Sequence, residues 1–185
     1  MLVTKHITKA NPYASVADFQ RIFDEDMNSL HLLSLLLTAN GEMAEQCFVA
    51  GLEDATRGNP VFKEWARSWA RRMIILNAVR AMSPRPMDGT CGSNSALLNK
   101  LSAGQRPFAA ILELEPFDRF VYVMSVLERY SDHHCALFLG CSRQDIITAR
   151  SRALQQTGRA EEHSNVRTDD SAIGQLVTPH LAISA

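Results

Sequence analysis

From Val16 to Leu37 the apolar residues Val16, Phe19, Ile22, Phe23, Met27, Leu30, Leu33 and Leu37 recur at intervals of three and four. Side chains spaced in this way share one face of an α-helix, whereas a half-buried strand needs alternation at two. No alternating pattern competes, and the helical spacing returns down the chain. The sequence therefore predicts an all-α protein.

Turn signals divide the helices. Asn40-Gly41 closes the first, and Glu42–Ala55 carries a second through Met43, Cys47, Val49, Ala50 and Leu52. Arg57-Gly58-Asn59-Pro60 is a turn cluster, and Pro60 can open a helix because the first turn does not use its missing N–H. A third helix is expected over Val61–Met82, with its apolar face through Phe62, Trp65, Trp69, Met73, Leu76 and Val79. From Ser83 to Asn94, Pro84, Pro86, Gly89 and Gly92 interrupt a stretch of little apolar content, which reads as a linker. A short helical turn over Leu97–Leu101 is broken by Gly104–Pro107. Phe108–Leu112 is a short helix, and Pro116 starts a longer one through Phe120, Val121, Val123, Met124 and Leu127.

Ser131 is a good N-cap for a helix through Cys135, Ala136, Phe138 and Leu139, and Gly140 is its terminator. Ser142 with Asp145 three positions on predicts a capping box that opens a last helix, ending near Gln156. Two small helical domains follow, 16–82 and 108–156, the second a helix-turn-helix. They are joined by a flexible linker over 83–107 and trailed by a polar, mostly disordered tail over 157–185.

An apolar content of 46% with 21% charged residues gives the chain enough to build a core. Leu30–Ala39, its longest apolar stretch, is far shorter than the roughly 20 residues a bilayer span requires. Met1–Pro12 carries Lys5 and Lys9 but no apolar core of a secretion signal, so a cytoplasmic location is expected. Cys47, Cys91, Cys135 and Cys141 lack the paired spacing of a zinc site and read as free thiols. His133 and His134 lie close to Cys135 and Cys141, but adjacent histidines point to different sides of a helix, so no metal is expected there. No cofactor is expected either.

The net charge of -1 hides an asymmetry. Between Asp18 and Asp54 the acids Asp18, Asp24, Glu25, Asp26, Glu42, Glu45, Glu53 and Asp54 face only Arg21. Between Arg57 and Arg85 the cations Arg57, Lys63, Arg67, Arg71, Arg72, Arg80 and Arg85 face only Glu64, a balance suited to phosphates. The acidic cluster lacks the Glu-x-x-His pairs of a carboxylate metal site and reads as a solvated face. No catalytic residue stands out, and an enzyme is not expected.

The strongest functional signal is the Leu139-Gly140-Cys141-Ser142 junction, which joins two short helices, the second carrying Arg143, Arg150 and Arg152. A recognition helix enters the major groove from such a turn, its N-terminal residues reaching base edges. Arg143 and Gln144 are placed to read bases, Arg150 and Arg152 suit the holding of phosphates, and Ser142 joins them as a DNA-binding residue of the recognition helix. An ordinary helical hairpin with the same caps is the alternative.

The stretches Leu114-Glu115-Pro116-Phe117-Asp118-Arg119-Phe120-Val121, Val126–Asp132 and Ala136-Leu137-Phe138-Leu139-Gly140-Cys141-Ser142 together resemble region four of the bacterial sigma factors, with Pro116, Arg119, Val121, Ser131, Leu139, Gly140 and Ser142 at matching positions. Ile147 and Ala149 stand where that family commonly has basic residues. The segment Phe62–Arg72 resembles region two of the extracytoplasmic-function type through Trp65, Ala70 and Arg71. The resemblance implies a sigma factor that binds core RNA polymerase and directs promoter recognition in transcription initiation. It further implies that Lys63, Trp65, Arg67, Arg71 and Arg72 line the melted minus-ten element, where aromatics stack on bases. Core packing is the competing role for Trp65 and Trp69. Glu45, Phe48 and Val49 fall on the helix that grips the polymerase, although Val49 and Ala50 replace the family's Gln-Glu pair. Promoter DNA and core polymerase are the implied partners, an anti-sigma protein a further one, and no membrane is involved. A stand-alone helix-turn-helix regulator and a sigma-like interaction protein without promoter recognition are the rival readings.

Overall fold

Ser15 opens the first helix by reciprocal capping: its hydroxyl accepts the Asp18 N–H at 3.2 Å, and the Asp18 carboxylate accepts the Ser15 N–H at 2.9 Å. Helix α1 then runs Val16–Glu25. The computed structural model describes residues 11–58, 60–86 and 108–173, with side chains described as far as 159. Lys5 and Lys9, Cys91, the rest of the expected linker, its Leu97–Leu101 turn and the end of the tail lie outside the described residues.

Where the sequence predicts one helix over Val16–Leu37, the chain turns at Asp26 (φ -100°, ψ 12°) and α2 runs separately over Met27–Thr38. Burial explains the break. Helix α1 hides one stripe, Phe19, Ile22 and Phe23, whereas α2 buries Leu30 and every residue from Leu33 to Thr38. One straight helix cannot serve both environments, and Met27, on the continuation of the α1 stripe, is left 53% exposed. The buried Ser34 and Thr38 hydroxyls donate back to the Leu30 and Ser34 carbonyls at 3.2 and 2.9 Å, so no polar group is stranded.

Asn40 caps α3 (Gly41–Arg57) by accepting the Met43 N–H at 3.0 Å. A 3-10 turn over Lys63–Trp65 leads into α4, Ala66–Met82. The apolar face expected through Phe62 and Trp65 is corrected here: the buried stripe is Ala66, Ala70, Met73, Ile74, Ile75 and Ala78, while Phe62 and Trp65 are exposed. Small residues win these positions because α3 and α4 approach closely. A Cβ on Gly51 would stand 2.8 Å from Ile74 Cγ1. The displaced aromatics stack among themselves, Tyr13 on Phe62 at 4.9 Å and Phe62 edge-on to Trp65 at 5.3 Å. An antiparallel bridge between Tyr13 and Phe62 pins the entering segment there.

The second half contains α5 (Ala109–Leu112), α6 (Pro116–Tyr122), one wide turn over Val123–Leu127, α7 (Asp132–Leu139) and α8 (Arg143–Ile173). The wide turn closes with the Glu128 N–H on the Val123 carbonyl, five residues back, at 2.9 Å. Helix α8 continues to Ile173, beyond the end expected near Gln156. Gly158 alone costs a helix only about 1 kcal/mol, no proline lies between it and Ile173, and the buried Thr157 hydroxyl is satisfied by the Ala153 carbonyl at 3.0 Å.

Both halves contribute to one contiguous buried core. Arg119 joins them. Its buried guanidinium donates from Nε to the Leu37 carbonyl at 3.2 Å and from Nη1 to the Leu114 carbonyl at 2.8 Å. Leu37 lies in the last turn of α2, where carbonyls lack helical partners, so the arginine supplies the missing donor. Burial pulls its pKa down to about 10.

Candidate nucleic-acid interface

Gly140 ends α7 in the left-handed region (φ 63°), a conformation that costs a residue with a Cβ more, and its N–H bonds the Ala136 carbonyl. Two residues later Ser142 restarts the helix. Its hydroxyl accepts the Asp145 N–H at 3.2 Å, and the Asp145 carboxylate takes the Ser142 N–H at 3.0 Å and its hydroxyl at 2.7 Å. These bonds hold the Asp145 carboxyl below the usual carboxylate range, the hydroxyl contributing most. The two caps fix a tight junction between α7 and α8.

Helix α8 packs Ile146, Ala149, Ala153 and Thr157 inward. On the other side Arg143, Gln144, Ile147, Thr148 and Ser151 form one exposed stripe starting at the helix N-terminus. Arg143 has no carboxylate partner among the described residues. An arginine can donate two parallel bonds to guanine, a glutamine can pair with adenine, and an isoleucine can meet a thymine methyl.

Arg150 and Arg152 have other occupations. Arg150 pairs with Asp132 in the first turn of α7. Arg152 makes a two-pronged bond to Asp118 on α6, Nε to Oδ2 at 2.9 Å and Nη2 to Oδ1 at 2.6 Å, and the Asp118 side chain is only 4% exposed. Both arginines fasten α8 to its neighbours, and the bond to Asp118 raises the pKa of Arg152.

The cations of the α4 region are engaged in the same way. Lys63 sits 3.6 Å from Asp18, Arg67 binds Glu25 and Asp26, and Arg80 meets Asp54 at 2.8 Å. The acidic and basic stretches of the sequence thus neutralise each other inside the molecule. Arg71 reaches the second half, clasping Glu128 through Nε at 2.7 Å and through Nη2, with Nη1 on the Ser29 hydroxyl at 3.0 Å. This bond to Glu128 raises the Arg71 pKa against its burial. Arg72 pairs with no carboxylate among the described residues and lies over the Phe138 ring at 4.5 Å. Trp65 is exposed, whereas Trp69 is half-buried and its Nε1–H is buried without an acceptor.

Between α4 and the segment Glu128–His134 lies a cleft of about 990 Å³, lined by Phe62, Trp65, Trp69, Arg71, Arg72, Arg129, Tyr130 and His134 among others. Sequence reasoning reached Trp65, Arg71 and Arg72 but not the opposite wall. Its residues lie more than fifty positions further along, and no local spacing announces them.

The residues assigned to polymerase divide. Glu45 and Val49 line a shallow exposed groove on α3 with Gln46, Ala50 and Glu53. Phe48 turns inward, edge-on to Phe23 at 5.2 Å. Cys47, Cys135 and Cys141 are free thiols, and burial pushes Cys135 up to about 11. Among the described residues no group of three or more histidine, cysteine or carboxylate side chains is arranged to hold a metal, and no helix is long and apolar enough to cross a membrane. No protein-family model, no curated protein and no solved structure matches the chain.

Proposed function

We propose that the protein is a DNA-binding transcription factor of the sigma type, with α7 and α8 acting as a helix-turn-helix and core RNA polymerase as its partner in the cytoplasm. The observation that carries the reading is the exposed stripe Arg143, Gln144, Ile147, Thr148 and Ser151, presented at the start of α8 by a doubly capped turn. Base readout needs side chains without internal partners at this position, and Arg143 meets that need. Glu45 and Val49, exposed on α3, are the residues we assign to the polymerase.

The test has two arms. Tagged protein isolated from its native host should carry stoichiometric core polymerase, and Arg143→Ala should weaken specific DNA binding by about tenfold or more with little change in non-specific affinity. Equal losses on both DNAs would refute the reading role of Arg143. A second reading, a stand-alone regulator that binds DNA without polymerase, is favoured by the internal pairing of Lys63, Arg67 and Arg71, which leaves α4 few free cations for a melted strand. DNA binding without polymerase would select it.

A further inference from the structure

We infer that the cleft between α4 and the Glu128–His134 segment is a binding site for a free nucleotide, its base held by aromatic side chains and its phosphate by Arg72 and Arg129. The cleft is lined by Phe62, Trp65, Trp69 and Tyr130, which come from both halves of the chain. Aromatic faces of this kind stack on flat heterocycles at about 1–3 kcal/mol per base in single-strand complexes. A volume of about 990 Å³ is ample for a nucleoside phosphate.

The charges select an anion. Glu128 is the acid of the lining, and its two oxygens are taken up by Arg71. Arg72 and Arg129 remain without a carboxylate partner among the described residues, so two positive charges face the cleft uncompensated. A nucleoside phosphate supplies both the ring and the counter-charge.

The backbone adds an independent sign. Arg129 is held in the left-handed region (φ 58°), two residues beyond the wide turn Val123–Leu127. A side chain with a Cβ is strained there by about 1 kcal/mol. Glycine would occupy the position without strain, yet an arginine stands in it, facing the cleft. Wide turns and strained residues of this kind concentrate where a side chain is being aimed at a ligand.

The site does not depend on DNA recognition by α8 and is tested apart from it. Isothermal calorimetry of the full chain with ATP, AMP, adenosine and pyrophosphate should give saturable 1:1 binding, with ATP or AMP tighter than either fragment. The chain's two tryptophans both line the cleft, so their fluorescence should change over the same titration. Arg129→Gly removes the guanidinium while relieving the backbone, so this variant should melt no lower than the parent and yet bind the nucleotide at least about tenfold more weakly. Unchanged affinity in Arg129→Gly, or no saturable binding of any nucleotide at millimolar concentration, would overturn the assignment. So would affinity confined to single-stranded oligonucleotides and rising with their length, which would give the cleft to a nucleic-acid strand. None of these results bears on Arg143 and duplex DNA, so failure here and failure of the transcriptional reading are separable.

Discussion

Replacing Arg152 by methionine separates a structural arginine from a DNA-contacting one. Asp118, its partner on α6, has a side chain only 4% exposed and receives two hydrogen bonds, at 2.9 and 2.6 Å, from the one guanidinium. Arg152→Met leaves that carboxylate charged, buried and unpaired. Removing one partner from a buried ion pair costs about 3–5 kcal/mol. The Arg152 side chain is itself 42% exposed, so water can reach the abandoned group, and the lower end of the range, about 3 kcal/mol, is expected. Adding Asp118→Asn should return at least half of the loss, because the amide carries no charge to strand. Urea titrations followed by circular dichroism at neutral pH measure all three proteins, and fluorescence anisotropy gives their DNA affinity while folded. If Arg152→Met loses less than about 0.5 kcal/mol while the salt dependence of DNA binding falls by about one phosphate contact, Arg152 serves DNA and the reasoning fails.

Two other perturbations probe packing and capping. Glycine-to-alanine changes should have opposite signs at two helical positions. Gly51→Ala puts a Cβ 2.8 Å from Ile74 Cγ1 and 3.3 Å from its backbone nitrogen, and should destabilise by about 1–2 kcal/mol, whereas Gly158→Ala meets nothing within 4 Å and should stabilise by up to about 1 kcal/mol in the same urea titrations. The carboxyls of Asp18 and Asp145, both lowered by serine hydrogen bonds, stabilise the folded state above the ordinary value of 3.8, and that contribution is lost as pH falls through the lowered values. Thermal midpoints should therefore drop below about pH 4, and the drop should be shallower in Asp145→Asn; an identical acid limb would remove Asp145 from the account.

The helical class was legible from spacing alone, because an apolar repeat of three and four dictates one partner surface whatever that partner is. Local signals also sufficed at the last junctions: Ser131 and Ser142 cap as their positions suggest, and Gly140 takes the left-handed turn that its position demands, whereas the caps at Ser15 and Asn40 were not read from the sequence. The break at Asp26 was not legible, since it answers to how completely α2 is enclosed by other helices. The buried face of α4 was misread for a similar reason. Large aromatics at helical spacing suggest a core stripe, but the closeness of α3 at Gly51 admits alanines and turns Phe62 and Trp65 outward.

Charge shows most clearly where reading along the chain reaches its limit. A run of cations between Arg57 and Arg85 facing only Glu64 looks like a phosphate-binding surface when counted in sequence. Folding sets α4 beside the acidic α1 and α3, and Lys63, Arg67 and Arg80 spend their charge there, while Arg71 crosses to Glu128. An ion pair already made must be broken before the same cation can hold a phosphate, and a two-pronged arginine–carboxylate bond is among the stronger ones to break. Among the described residues, the cations left for a ligand at these two sites are those without a carboxylate: Arg143 at the start of α8, and Arg72 with Arg129 at the cleft. Under the proposed function, that division gives duplex DNA to α8 and a separate anion to the cleft, a distinction the linear count of charges could not make.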